Sequence, residues 1–197
     1  MKRPLVTACL ALTLTALTLM SCAAVKELAA LSQVRFHLDK ISSIRVAGVD
    51  VMKVKKFEDI GVLDVARLTA AVAAQQVPLT FTVNMIAENP ASNTATARMV
   101  GLDWKLFLQD KEALSGAVTN EVVLEPGKPQ SVPVSVRLDL VKFYKGGLQD
   151  MINLALSLTG QGGTPQNIHF QARPTIQTPF GPMRFPKPIN ISATVGG

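Results

Sequence analysis

Three ionisable side chains, Arg35, His37 and Asp39, stand two residues apart and would share one face of a β-strand. A histidine beside a carboxylate can act as a general base when a nucleophile lies next to it. No serine or cysteine of the sequence stands in the context of a nucleophile elbow. We therefore predict that this row is the solvated face of an outer strand. Hydrolase activity around His37 is the alternative.

The remaining ionisable residues give no metal or cofactor pattern. The second histidine, His169, shares its strand face with Asn167 and Gln171 and is predicted to be exposed. Glu58–Asp59 and Asp103 do not have the spacing of metal ligands. The sequence also has no Gly-rich phosphate-binding motif. It therefore predicts no catalytic residue, metal or cofactor, and a protein that is not an enzyme.

Cys22 is the residue whose context does indicate chemistry. It follows Leu19-Met20-Ser21, which resembles the bacterial lipobox, in which the cysteine is acylated and becomes the new N-terminus. Lys2 and Arg3 precede an uncharged run, Pro4 to Val25, as in a secretory leader. We predict a lipoprotein signal peptide over 1–21 and a tether over 22–30. An uncleaved transmembrane anchor is the alternative, because the run is long enough to span a bilayer.

Cleavage would leave Cys22 as the one cysteine of the mature chain, since Cys9 lies in the leader. A disulfide and a zinc-thiolate site are then excluded. The formal charge would fall from +6 to +4, with no dense basic run, so nucleic acid is not an expected partner. The expected partners are the membrane, through the lipid anchor, and either lipid or an envelope protein. The residue after Cys22 is Ala23 and not the Asp that retains some lipoproteins in the inner membrane. We therefore expect the protein at the outer membrane of a bacterial cell envelope, facing the periplasm.

Pro78 to Leu108 is the most strongly patterned stretch of the chain. Apolar and polar residues alternate in its first part, and Glu88 to Asn93 is rich in turn-forming residues. A second apolar face follows on Val100, Leu102, Trp104, Leu106 and Leu108. The pattern predicts a β-hairpin with Trp104 in the core.

Similar alternation predicts further strands, and 3.6-residue periodicity predicts two helices. The strands are expected around 34–38, 44–51, 118–124, 132–140, 168–172 and 189–195, with Pro133 at a sheet edge. Residues 65–74 are expected to form a helix capped by Asp64, and residues 148–158 a second helix that closes at Gly160. Turns are expected over 113–117 and 125–129. Together they predict one domain over 31–197, an immunoglobulin- or fibronectin-III-like antiparallel β-sandwich of roughly seven to eight strands, with one or two short connecting helices.

Three stretches resemble the late embryogenesis abundant type 2 (WHy domain) family. They are Val77–Val83 leading to Asn89-Pro90, Leu114-Ser115-Gly116 with the Pro126-Gly127 turn and the strand after it, and Arg173 to Pro186. The resemblance implies the same sandwich, no enzyme activity or cofactor, and an association with desiccation and other stress. Bacterial members are often lipoproteins. Ala91 replaces the second Asn of the family's Asn-Pro-Asn turn, so that amide is either missing or supplied by Asn93.

Two features have both a structural and a functional interpretation. Asn89, Pro90 and Asn93 are expected to form a turn, and their functional alternative is a loop contact with a partner. The apolar helix over 148–158 is expected to plug one end of the sandwich. Its alternative is to cover an apolar cleft, which would make the protein a carrier of lipid or acyl chains rather than a binding or stress-protective module.

Replacing Cys22 by Ser tests the lipid anchor. We expect the variant either to appear in the soluble fraction or to remain as unprocessed precursor, because serine has no thiol to acylate. Cell fractionation combined with mass spectrometry distinguishes these results. A wild-type protein that itself has the full, unacylated precursor mass in the membrane fraction would instead indicate an uncleaved signal anchor.

Overall fold

The structure is a computed structural model that describes residues 32–108, 111–143, 147–160 and 166–195. The predicted leader, Cys22, the tether and the 161–165 loop lie outside these ranges. Among the described residues, no helix combines the length and the apolar character needed to cross a bilayer.

Ten strands of the described residues form two facing antiparallel sheets, so the predicted β-sandwich is confirmed. In chain order the strands are β1 (Arg35–Val46), β2 (Val49–Asp50), β3 (Pro78–Glu88), β4 (Ala97–Leu108), β5 (Lys111–Val118), β6 (Val122–Leu124), β7 (Gln130–Asp139), β8 (Gln166–Thr178), β9 (Gly181–Arg184) and β10 (Ile189–Val195). The first sheet has the order β2-β1-β3-β7, and the second has the order β10-β8-β4-β5, with β6 paired to β4 and β9 to β8. Pro133 lies on the edge strand β7, as predicted.

In the described residues, a 3-10 turn (Phe57–Asp59) and three short α-helices connect the strands: α1 (Val62–Ala73), α2 (Leu140–Phe143) and α3 (Leu148–Thr159). The predicted capping of the first helix by Asp64 is wrong. Gly61 is the N-cap residue, and Asp64 lies in the first turn, where its carboxylate is 3.3 Å from the guanidinium of Arg67. The end of α3 at Gly160 is confirmed, and this glycine adopts a left-handed conformation with φ of 68°.

The predicted hairpin over Pro78–Leu108 is wrong, because β3 and β4 belong to different sheets. β3 pairs with β1 and β7, whereas β4 pairs with β5, β6 and β8. Alternation fixes which face of a strand is buried, but two strands that both face one core can lie in the same sheet or in opposite sheets. The connection after Glu88 therefore carries the chain from one layer to the other.

Two details of the second sheet also differ from the predicted pattern. Val100 is half-exposed, because a register shift between Met99 and Gly101 turns Met99 into the core instead. Residues 113–117 are not a turn but the middle of β5.

The space between the sheets is filled by apolar side chains. The cavity among Phe81, Val83, Leu106 and Phe170 measures only about 10 Å³. Helix α3 packs against β1 of one sheet and β10 of the other, and most of its residues are buried. It thus covers the boundary between the layers.

Trp104 is buried, as predicted, and its packing explains a glycine in the neighbouring strand. Its ring stacks on Phe170, with centroids 5.8 Å apart and an interplanar angle of 18°. Gly116 is its cross-strand partner on β5. A Cβ atom at Gly116 would lie 2.6 Å from Cζ2 of the indole, closer than side-chain atoms can approach. The edge strand therefore needs a residue without a side chain at this point.

Gly116→Ala should destabilise the domain by about 1–3 kcal/mol, because the added methyl overpacks the indole. Urea unfolding followed by far-UV circular dichroism measures this. In a Trp104→Phe background the same substitution should cost less, since the ring that carries Cζ2 is absent. Gly101→Ala is the matched control, because its Cβ would meet Thr175 at an ordinary 3.8 Å. Equal costs of Gly116→Ala in both backgrounds would contradict this account.

Candidate functional site

Asn89 is a fully buried amide at the crossover between the sheets. Its Nδ2 donates to the backbone oxygens of Ala95 and Leu124, each at 2.9 Å. Its own backbone oxygen accepts from the N–H of Gly127 at 2.8 Å, and its Oδ1 accepts from Nδ2 of Asn93 at 2.6 Å. The side chain thus joins the crossover to the last residue of β6, and the backbone oxygen joins it to the connection between β6 and β7.

Asn93 is the second buried amide of this turn. Its amide bonds Asn89, and its backbone N–H donates to Pro90 O at 2.9 Å. The hydrogen bonds therefore support the turn interpretation of Asn89, Pro90 and Asn93. Ala91 and Ser92 are the exposed residues of this turn. A partner contact here stays a prediction, and it would involve the exposed tip rather than the two buried amides.

The turn over 125–129 lies beside the crossover, as the bridge between Asn89 and Pro126 shows. Lys128 Nζ donates to the carboxylate of Glu125 at 2.5 Å. This hydrogen bond, together with the charge of Glu125, raises the pKa of Lys128. The pair is exposed to solvent, so it fixes the turn only weakly.

The row Arg35, His37 and Asp39 is exposed on β1, as predicted for a solvated strand face. The carboxylate of Asp39 is 3.9 Å from the ammonium of its neighbour Lys40. Ser42, five residues beyond His37 on β1, accepts a hydrogen bond of 2.7 Å through its hydroxyl from Asn84. Hydrolase activity around His37 stays an alternative. In the described residues, no hydrogen bond links the imidazole of His37 to a nucleophile.

His169 is half-buried rather than exposed, which corrects the sequence prediction. It lies opposite Phe107 on the neighbouring strand, and the two rings meet edge to face at 5.6 Å. Its Nε2 is 3.4 Å from Nε2 of Gln171. The aromatic neighbour explains the burial, because cross-strand side chains cover each other on a sheet face. No group of three potential metal-binding side chains occurs among the described residues.

A groove of about 700 Å³ crosses the outer face of the second sheet. It lies over the centres of β4, β5 and β8. The small residues Ser115, Gly116 and Ala117 of the edge strand make one side of it. Longer polar side chains make the other side, and they come from Asp103, Lys105, Gln171, Arg173 and Arg184. The concave shape follows from this asymmetry in side-chain size.

The register explains how these charged residues come together. Asp103 lies directly between Ala117 and Arg173 on the neighbouring strands, and Lys105 lies between Ser115 and Gln171. Sequence reasoning missed this site. Its signal is polar residues at alternate positions in three strands, and only the strand order shows that these positions adjoin.

The groove carries more positive than negative charge. Arg184 forms an ion pair with Asp103, and Lys105 Nζ is 2.7 Å from a carboxylate oxygen of Glu112 at its edge. Arg173 forms no ion pair with the residues that the structure describes. Exposed ion pairs of this kind are worth about 0–1 kcal/mol, so a ligand can displace them at little cost.

The side chains of this groove have the chemistry to recognise an acidic group. A guanidinium can donate two parallel hydrogen bonds to a carboxylate or a phosphate. Arg173 and Arg184 supply two such groups, and Lys105 adds an ammonium. No titratable side chain in this set is buried.

No protein-family profile matches the chain, and no curated protein is significantly similar to it. Among solved structures, it is similar to the solution structure of a candidate late embryogenesis abundant protein, with 11% identity over 93% of this chain and 87% of that one, at a TM-score of 0.42. It is also similar to a protein from Archaeoglobus fulgidus, with 10% identity over 84% of this chain and 97% of that one, at a TM-score of 0.39. Similarity at this level assigns neither a family nor a function.

Asn89→Ala should destabilise the domain by about 1–3 kcal/mol, because buried carbonyl groups lose their donor. Urea unfolding measures the loss. The control is Ser92→Ala in the exposed part of the same turn, which should stay within about 0.5 kcal/mol of the wild type. An Asn89→Ala protein of unchanged stability would show that the amide is not a structural clamp.

Proposed function

We propose that the chain is a lipid-anchored, non-catalytic protein of the bacterial cell envelope whose sandwich is a stress- or desiccation-related binding module. Its partner carries acidic groups and binds in the groove around Arg173. The observation that carries the proposal is this positively charged groove on a sheet whose inner face is closely packed. The strand register places these cationic residues side by side on one face of the sheet.

The stress association comes from the resemblance of three sequence stretches to the late embryogenesis abundant type 2 family. One of them includes Arg173, so the resemblance and the groove meet at the same residue. The anchor rests on the lipobox-like context of Cys22. Two or more acyl chains on this residue would hold the domain stably at a membrane. With Ala23 after the cysteine, we place the protein at the outer membrane, facing the periplasm.

The alternative function is a carrier of lipid or acyl chains. The cavity of about 10 Å³ between the sheets has room for roughly one water molecule, far less than an acyl chain needs. The apolar side chains of α3 are themselves buried against the sandwich. A carrier would therefore have to separate the sheets or lift this helix, and the binding module needs no such movement.

Charge reversal at Arg173 tests the groove in cells. A deletion strain is complemented with the wild-type gene, Arg173→Glu or Arg45→Glu, and survival is counted after drying and rehydration. Arg45 is the matched control, because it is an exposed arginine on the first sheet. We expect wild type and Arg45→Glu to restore survival and Arg173→Glu to fail, at equal protein levels in immunoblots. Full rescue by Arg173→Glu would reject the groove as the binding site, and unchanged survival of the deletion strain would reject the stress role.

A further inference from the structure

The hairpin between β8 and β9 presents a large aromatic side chain to solvent. Phe180 is 72% exposed, and among the described residues the other exposed large hydrophobic side chains, Val62, Leu63 and Val123, are all aliphatic. An exposed phenyl ring at a loop tip leaves apolar area in water that burial elsewhere would stabilise. The ring at this tip is therefore a candidate contact with an apolar partner.

The turn holds the ring in this exposed position. Thr178 Oγ1 donates to the backbone oxygen of Gly181 at 2.7 Å and accepts from the N–H of Phe180 at 3.2 Å. Gly181 has φ of 109°, a conformation that favours glycine. The adjoining β9 pairs with β8 along its length, so the tip stands on a hydrogen-bonded ribbon.

This hairpin lies at the end of the sandwich where the chain enters the domain. Ser32, the first described residue, lines a small depression together with Met183 and Phe185 of the β9 region. The rings of Phe185 and Phe36 meet at right angles, with centroids 6.0 Å apart. The chain thus passes beside the hairpin immediately before it starts β1.

The predicted tether limits how far this end can move from a membrane. Nine residues separate Cys22 from Ser32, and ten extended steps span at most about 35 Å. β1 has 12 residues and is about 40 Å long, so the far end of the sandwich lies roughly one strand length beyond the entry end. Helix α1, which carries Val62 and Leu63, belongs to the connection between β2 and β3 at that far end.

We propose that Phe180 inserts into the lipid interface of the membrane that holds the acyl chains of Cys22. This inference rests on the proposed lipid anchor and adds a second point of attachment. The tether keeps the tip at high effective concentration near the bilayer. One ring is therefore enough for insertion, although one ring would not recruit an unanchored protein to a membrane. Two attachments at the same end orient the sandwich so that its strands point away from the membrane surface.

Cysteine accessibility in the full-length protein tests the insertion. Pro179→Cys places a thiol beside Phe180, and Leu63→Cys places one on α1 as the matched control; both positions are exposed. Isolated membranes opened by sonication are treated with a membrane-impermeant maleimide. We expect Pro179→Cys to react several-fold more slowly than Leu63→Cys, and detergent extraction to abolish the difference. Adding Phe180→Ser to Pro179→Cys should restore fast labelling in the membranes.

The other outcomes separate the two proposals. Equal labelling rates with the protein in the membrane fraction would overturn the insertion and leave the anchor standing. Protection that persists in detergent would mean that protein covers the tip, and it would also overturn the insertion. Recovery of the wild type in the soluble fraction would reject the anchor, and the insertion with it. Unchanged fluorescence emission of Trp104, which stacks on Phe170 in the core, checks in every variant that the core packing is retained.

Discussion

The sandwich depends on the buried amide of Asn89. β3 and β4 follow each other in the sequence, yet they lie in opposite sheets, so residues 89–96 must carry the chain from one layer to the other. A backbone that crosses layers leaves polar groups without strand partners, and each unmet group in the interior costs about 1–3 kcal/mol. Asn89 provides hydrogen-bond partners here, because its side-chain amide donates to the backbone carbonyl groups of Ala95 and of Leu124, which lies 35 positions further along the chain. No buried side-chain nitrogen or oxygen lacks a partner in the described residues.

This clamp determines what lies on the outer surface. Because β4 joins the second sheet, its outward residues Asp103 and Lys105 become neighbours of β5 on one side and β8 on the other. Had β4 folded back on β3 as a hairpin, Arg173 would not lie opposite Asp103. The inward residue Trp104 imposes Gly116 on the edge strand, and this glycine lies among the small residues that form the low side of the groove. The same strand register therefore determines both the core packing on the inner face of the sheet and the candidate binding surface on its outer face.

Local sequence was sufficient for features that depend on neighbouring residues. The alternation over 132–140 predicted β7, Pro133 predicted an edge position, and Gly160 predicted the end of α3. It was insufficient where the decisive partner is distant. The amide of Asn89 reveals its partner Leu124 only once the layers are assembled, and the burial of His169 depends on Phe107 of another strand. The groove was missed for the same reason, since its charged residues come from separate strands and from β9.

The position of the groove also bears on the nature of its partner. Asp103 and Lys105 lie near the middle of β4, about 20 Å from the end of the sandwich at which the chain enters. If that end faces the bilayer, as the proposed insertion of Phe180 implies, the groove faces sideways and lies beyond the headgroup layer of the same leaflet. Lipid headgroups of that membrane could then not reach Arg173. An acidic protein or polymer of the envelope could, and the weak ion pairs at Arg184 and Lys105 leave those cations free to exchange their intramolecular carboxylates for those of a partner.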